Sequence, residues 1–391
     1  MHIDIGQPEH DELEITTLGA GSSNGESIVI HLLDDKWIIV DSCKIGDEVL
    51  PLSYLESIEV PYEKVTKVIC THWHFDHVRG MPEILSVCKN AEFCIAPVSD
   101  FNGYLNIVLK EAGYDPMGAT VWNILNNCLD VLEATGKREI RLLTHNERVF
   151  RPCEGVEMFV VGPSSEMIKR FHAALIKIDV HKPDKKDITY LEENLCSMAF
   201  SVHFKGQKVL LGGDMETGRS KTEKYNYHIC DVNCPQHDSC GWCEAIGNDR
   251  IFSDEKPYHL VNLPHHSSAS AYCPKMWKDG FIEGGPIATT TIFNNSESEN
   301  LPTREMLSLY NDQCKELYIT YSDGQPEQTD EEKRVIKELS EEKGIEVLDE
   351  YTEKAGVIIC RWHSSEEGWR IRHYGEARKV NEEYLMHYHT N

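Results

Sequence analysis

Residues 68 to 81 read VICTHWHFDHVRGM and place His72, His74, Asp76 and His77 within six positions, directly after an apolar run. Imidazole and carboxylate groups ligate zinc, manganese and iron, so the residue types leave the metal open among those three. Buried without partners, such groups would cost roughly several kcal/mol, so something must offset that cost. At a strand end side chains alternate with a period of two, so His72, His74 and Asp76 share a face and His77 points to a neighbouring position. The spacing suits two ions side by side, with His72 and His74 on one and Asp76 and His77 on the other. Unrelated surface histidines seldom reach this ligand density.

Three further stretches add candidate groups. WIIVDSC brings a strand to Asp41, KVLLGGDMET carries Asp214, and VNLPHHSSAS carries His265 and His266. Taken alone, Asp41 could be a capped strand end and Asp214 a turn residue after Gly212-Gly213. The adjacent histidines cannot both aim at one metal from a strand. His265 is read as the ligand, with His266, or Ser268 beside it, facing the substrate.

In combination these stretches resemble the metallo-β-lactamase-fold hydrolases, whose H-x-H-x-D-H signature is HWHFDH here. The resemblance implies an α/β protein with a four-layered αββα sandwich. It implies two divalent ions held by His72, His74, Asp76, His77, Asp214 and His265, with Asp214 bridging them. Zinc heads the candidate metals, followed by manganese or iron. The catalytic set it implies is Asp76, which would steer the attacking hydroxide, Asp41, which would orient a ligand histidine, and His266. Two ions about 4 Å apart can acidify a bridging water and clamp both attacking and leaving oxygens.

NLCSMAFSVHFKGQKVLLGGDME followed by VNLPHHSSAS is similar to the soluble hydrolase domain of ComEC-type competence proteins. There the pattern runs N-x-x-S, L-x-G-D and P-H-H-G-S, and the likeness covers residues 13 to 365 with insertions. It tilts the expected activity toward phosphodiester cleavage, in nucleic acid or a nucleotide. A lactone, thioester or carboxylic ester hydrolase on the same metals is the alternative, and a binding or signalling module without turnover is the second. Two departures stand out. The family's third-motif histidine should follow a strand near FVVGPSSEM, where there is none; His145 and His172 are nearest. The glycine of P-H-H-G-S is Ser267 here, which leaves less room for close backbone approach to a substrate.

Between Asp214 and His265, Cys230, Cys234, Cys240 and Cys243 fall within fourteen residues as C-x3-C-x5-C-x2-C. That spacing suits a structural zinc in a loop-rich insertion over residues 216 to 258, with His228 and His237 as substitutes. Free thiols or a disulfide are the alternatives, and C-G-W-C lacks the strand–helix context of a redox pair. The insertion is also a candidate surface for a protein partner. Cys70 and Cys360 lie in apolar strands and read as core.

The elements that must position these groups are legible in outline. ESIVIHLL and KWIIVDSC, separated by Asp34-Asp35, predict a hairpin, and KVTKVICT a buried strand. MPEILSVC and TVWNILNNCLDVLEATG predict helices, the second ending at Gly136. Strands are expected at KREIRLL, GVEMFVVGP, CSMAFSVHF, KVLLGGD, IATTTIF, ELYITYS, IEVLDEY and GVIICRW, and a capped helix from Thr329 to Gly344. Residues 167 to 187 read as an edge loop or helix, and Gly19 to Gly25 as a turn rather than a dinucleotide loop. No solenoid-type repeat is visible. All 391 residues are read as a single hydrolase domain.

The balance of 39 basic against 65 acidic residues gives a formal charge of −26, which disfavours long duplex and leaves a small anionic substrate or single-stranded nucleic acid. Arg370, Arg372, His373, Arg378 and Lys379 form a basic patch that reads as a solvated terminal strand. No apolar stretch approaches the roughly 20 residues of a membrane helix. The polar, acidic opening is no secretory signal, so the expected location is the cytoplasm, where fourteen cysteines would be reduced or metal-bound.

Overall fold

The computed structural model describes residues 3, 5–21, 25–33, 35–97, 116–136, 138–177, 193–217, 241–246, 257–293, 300–321 and 355–388. Two eight-stranded sheets carry the chain. In spatial order the first runs Arg370–Gly375, Ala355–Trp362, Leu13–Ala20, Gly25–Leu32, Lys36–Val40, Val65–Cys70, Glu92–Ile95 and Ile140–Leu142. The second runs Arg378–Lys379, Glu316–Ile319, Ile287–Thr290, Leu260–Asn262, Gln207–Leu211, Ala199–Phe204, Val156–Gly162 and Arg148–Cys153.

Each sheet holds the same run. Three strands pair antiparallel, and the third then pairs parallel with a fourth, which pairs parallel with the next. In the first sheet this run begins at Leu13–Ala20, and in the second at Val156–Gly162. The repetition lies in topology rather than sequence, which is why no periodicity betrays it.

Alternation along the strands builds the layers. Val209 and Leu211 join the core shared with the first sheet, whereas Leu210 between them joins Val261, Ala288 and Leu317 on the opposite face. That opposite face is covered by Met276 of Pro274–Asp279 and by Met306, Leu307 and Tyr310 of Arg304–Gln313. The first sheet's outer face is covered by Ile84 and Leu85 of Met81–Val87 and by Leu125, Cys128 and Leu132 of Pro116–Ala134. Each buried Leu, Met or Phe contributes about 1.5–3 kcal/mol through removal from water. The result is the αββα sandwich.

The expected hairpin forms with Leu32 opposite Lys36, and the long helix stops before Gly136, whose φ of +108° suits glycine. The charged stretch from 167 lies in the helix Ser165–Lys177 as far as it is described. Cys70 and Cys360 are buried. IEVLDEY, the capped helix from Thr329, Cys230, Cys234 and Cys240 lie outside the described residues; Cys243 falls in the short helix Gly241–Ile246. Among the described residues no helix is long and apolar enough to cross a membrane.

Candidate metal centre

The functional side chains stand where strands end at their carboxyl edges, the usual place for a ligand in sheets with parallel pairing. In the first sheet Asp41 follows Lys36–Val40, and His72 to His77 follow Val65–Cys70. In the second Asp214 follows Gln207–Leu211, and His265 and His266 follow Leu260–Asn262. The two halves thus contribute from matching positions, after the third and fourth strands of the repeated run.

Asp41, at φ 58°, is a hub behind the cluster. Its Oδ1 accepts from the Thr71 amide at 2.7 Å, and its Oδ2 from the Thr71 hydroxyl at 2.7 Å and His77 Nδ1 at 2.8 Å. With its hydrogen directed to Asp41, the Thr71 hydroxyl accepts from His72 Nδ1 at 3.0 Å. Both rings therefore carry hydrogen on Nδ1 and turn Nε2 inward. Gly25, at φ +102°, lets its strand pass against this loop, because a Cβ there would lie 1.8 Å from the Asp76 carbonyl oxygen.

Two groups of donors result, His72 with His74 and Asp214, and Asp76 with His77 and His266. Asp214 faces both: Oδ1 lies 3.3 Å from His77 Nε2 and Oδ2 lies 3.6 Å from His72 Nε2. His72 Nε2 is 2.9 Å from His74 Nδ1, His77 Nε2 is 3.5 Å from Asp76 Oδ2, and His266 Nε2 is 3.1 Å from the same oxygen. Metal bonds of about 2.1 Å place tetrahedral neighbours about 3.4 Å apart, so these separations are those of donors around shared cations. His77 Nε2 is buried without a hydrogen-bond partner, which an ion would supply. The residues fit a divalent pair.

The protonation pattern follows from the crowding of charge. Burial pushes His77 down, yet Asp214, Asp76 and Asp41 outweigh it and hold its pKa well above the usual value. Burial likewise opposes the charge on His266, and Asp76 and Asp214 raise it. Burial followed by the neighbouring His77 and His74 depresses His72. Burial favours the neutral forms of Asp76 and Asp214, but the surrounding imidazoles carry both carboxyls below the ordinary range.

The histidine pair after Pro264 departs from strand parity. His265, His266 and Ser267 take φ of 48°, 48° and 61°, a left-handed turn, so alternation does not set their directions. His266, expected to face the substrate, is buried within a donor group; His265, expected as a ligand, sits at the rim, 20% exposed. There His265 Nδ1 lies 2.9 Å from Glu216 Oε1 and its Nε2 3.9 Å from Asp214 Oδ2. Ser268 is buried and bonds Ser270 at 2.9 Å.

Among the described residues neither His145 nor His172 belongs to a donor group. Asn194, the asparagine of N-x-x-S, reaches this rim instead, with Nδ2 3.0 Å from Glu216 Oε1 and 3.4 Å from His265 Nε2. Its Oδ1 is buried and unpartnered. Thr71, Glu216, Glu26 and Thr291 are further polar residues here that the sequence did not single out, since none belongs to a ligand motif. In the basic terminal patch Arg370 pairs with Glu12 and Glu366, Arg378 with Glu376, and Lys379 with Glu316.

Residues 21–104 match the sequence model of the Metallo-beta-lactamase superfamily. No curated protein matches the chain. Among solved structures, the hydrolase AbOPH of the beta lactamase superfamily is similar at 13% identity and a TM-score of 0.33, over 54% of this chain and 75% of that one. MEM-A1, a subclass B3 metallo-beta-lactamase from a soil metagenome library, is similar at 10% identity and a TM-score of 0.32, over 67% and 82%. A Cronobacter sakazakii metallo-beta-lactamase gives 10% and 0.32, over 63% and 76%. Likeness at this level leaves the chemistry to be read from the residues.

Proposed function

We propose that this chain belongs to the metallo-beta-lactamase superfamily and is a metal-dependent hydrolase whose substrate is a phosphodiester, in a nucleotide or in single-stranded nucleic acid. The observation that carries the metal chemistry is Asp214, whose two oxygens lie 3.3 Å and 3.6 Å from imidazole nitrogens of two different donor groups. His72, His74 and Asp214 would hold one divalent ion, and Asp76, His77 and His266 the other, with zinc first among candidates and manganese or iron behind it. When bound, such ions acidify water and stabilise charge on the reacting and departing oxygens.

The chain's own residues do the rest. Asp41 fixes the His77 ring directly and the His72 ring through Thr71, so both rings present Nε2 inward. His265, Glu216 and Asn194 line the open rim and orient the substrate. The order N-x-x-S, L-x-G-D and P-H-H, similar to the ComEC-type pattern, supports the phosphodiester reading over carboxylic ester, lactone or thioester cleavage. A formal charge of −26 supports a short or single-stranded substrate drawn in by the ions rather than by the surface. A further structural zinc is proposed for Cys230, Cys234, Cys240 and Cys243, whose surroundings could also meet a protein partner.

The test is reconstitution with zinc, manganese or ferrous iron, followed by assays on bis(p-nitrophenyl) phosphate, p-nitrophenyl acetate and a simple lactone. Phosphodiester turnover abolished by chelator is the expected result. Turnover of the acetate or lactone alone would overturn the substrate; a purified chain that takes up no ion would overturn the metal chemistry as well. Elemental analysis of a Cys230→Ser/Cys234→Ser variant should fall from three ions to two.

A further inference from the structure

Glu26 is 5% exposed in a strand, Gly25–Leu32, whose every residue is buried. Among the described residues no cationic side chain is bonded to it. Instead its Oε2 accepts from the Thr291 hydroxyl at 2.7 Å, across the sandwich and 265 positions away. Thr291 Oγ1 is in turn 2.8 Å from His266 Nδ1. We infer that Glu26 and Thr291 are positioning residues that fix His266 with hydrogen on Nδ1 and an open Nε2 for the second ion. This rests on the metal-dependent reading above.

The hydrogens along this chain of contacts can be counted. A threonine hydroxyl has one to give, and here it goes to the carboxylate. Toward the imidazole the same oxygen can only accept, so Nδ1 must be the protonated nitrogen. His266 Nε2 then meets Asp76 Oδ2 at 3.1 Å, where a proton joins the two in the metal-free chain and a cation can take its place. Run in reverse, with a proton on Glu26, the chain would put hydrogen on Nε2 and exclude the ion.

The molecule contains the same device in its first half. Asp41 accepts from the Thr71 hydroxyl at 2.7 Å, and Thr71 meets His72 Nδ1 at 3.0 Å. Thr71 follows Val65–Cys70 and Thr291 follows Ile287–Thr290, each one residue beyond a parallel strand. The carboxylate–threonine–histidine chain thus occurs twice, once for each donor group. In the second copy the carboxylate comes from the other sheet.

Competition against a chromophoric chelator tests the assignment with zinc alone as the probe. Thr291→Val should weaken one of the two site affinities about 10- to 100-fold, as loss of an outer partner of a metal-bound histidine does. Thr291→Ser, which keeps the hydroxyl, should stay within about 3-fold of wild type, and Glu26→Gln should weaken binding in the same direction as Thr291→Val. Melting of the metal-free variants checks folding; a Thr291→Val chain that melts like wild type yet binds less zinc supports the relay. Equal zinc affinity in wild type and Thr291→Val, or a Thr291→Ser loss as large as that of Thr291→Val, overturns it. A wild type that binds no zinc, manganese or iron removes the parent reading, and this one with it.

Discussion

Two clusters of buried charge lie in this molecule, and they are finished differently. Around Glu14, which is fully buried, one oxygen accepts from Tyr54 at 2.6 Å and Thr16 at 3.1 Å, and the other from Arg361 Nε at 2.6 Å. Arg361 spends another nitrogen on the Gly6 carbonyl at 2.6 Å. Charge and hydrogen bonds close on themselves. The cluster around His77 does not close: three aspartates surround it, and its Nε2 has no hydrogen-bond partner. A buried ionic group that satisfies itself is architecture, whereas one that leaves an inward nitrogen without a partner is open to a cation.

The contrast can be broken by removing one member of each cluster. His77→Ala should abolish uptake at the second ion and lower phosphodiester turnover by about 10³-fold or more, since metal stabilisation is worth several kcal/mol and each 1.36 kcal/mol is tenfold. Metal content and kcat measured together check it; retained ions with retained turnover would make the two clusters alike. Arg361→Met should leave metal content unchanged but destabilise the fold by about 3–5 kcal/mol, because Glu14 would keep a buried charge without its partner. Urea melts read that loss.

Smaller changes sharpen the difference. Asp41→Asn keeps the shape but weakens the acceptor for His77 and Thr71, so zinc affinity should drop about 10- to 100-fold, read by chelator competition. Proton linkage gives the mildest test. The raised pKa values of His77 and His266 in the metal-free chain mean that their stabilisation is complete below the ordinary histidine value of about 6.5 and is lost as pH rises through the raised values. The depressed carboxyls of Asp76 and Asp214 act oppositely: their contribution is present above about 3.9 and is lost as pH falls through the lowered values. Metal-free protein should therefore lose stability toward alkaline pH by at most about 1.4 kcal/mol per pH unit for each proton, while loaded protein should not, since ions replace those protons. Parallel melting curves with and without chelator would refute this.

What the sequence disclosed tracks how local each feature is. His72, His74, Asp76 and His77 are read from six consecutive positions, and strands such as Val65–Cys70 and Ala199–Phe204 from apolar runs that geometry then obeys. Strand parity does not set the directions of His265 and His266, because three left-handed residues stand there instead of an extended chain. Glu26 and Thr291 were invisible for another reason. Each lies in a stretch read only as a strand, and their meaning arises only when two sheets bring them within 2.7 Å. Asn194 was present in a quoted motif, but its unpartnered oxygen is a property of the folded rim.

The pairing of Leu13 with Trp362 sets the order in which the molecule can be assembled. Ala355–Trp362 lies against Leu13–Ala20 over eight residue pairs, so the strand Leu13–Ala20 has one edge open until Ala355–Trp362 has left the ribosome. The loop from His72 to His77 is synthesised early, but the sheet beneath it is completed late. Through that interval the nascent protein carries an apolar strand edge in need of cover, which is the kind of surface that chaperones shield.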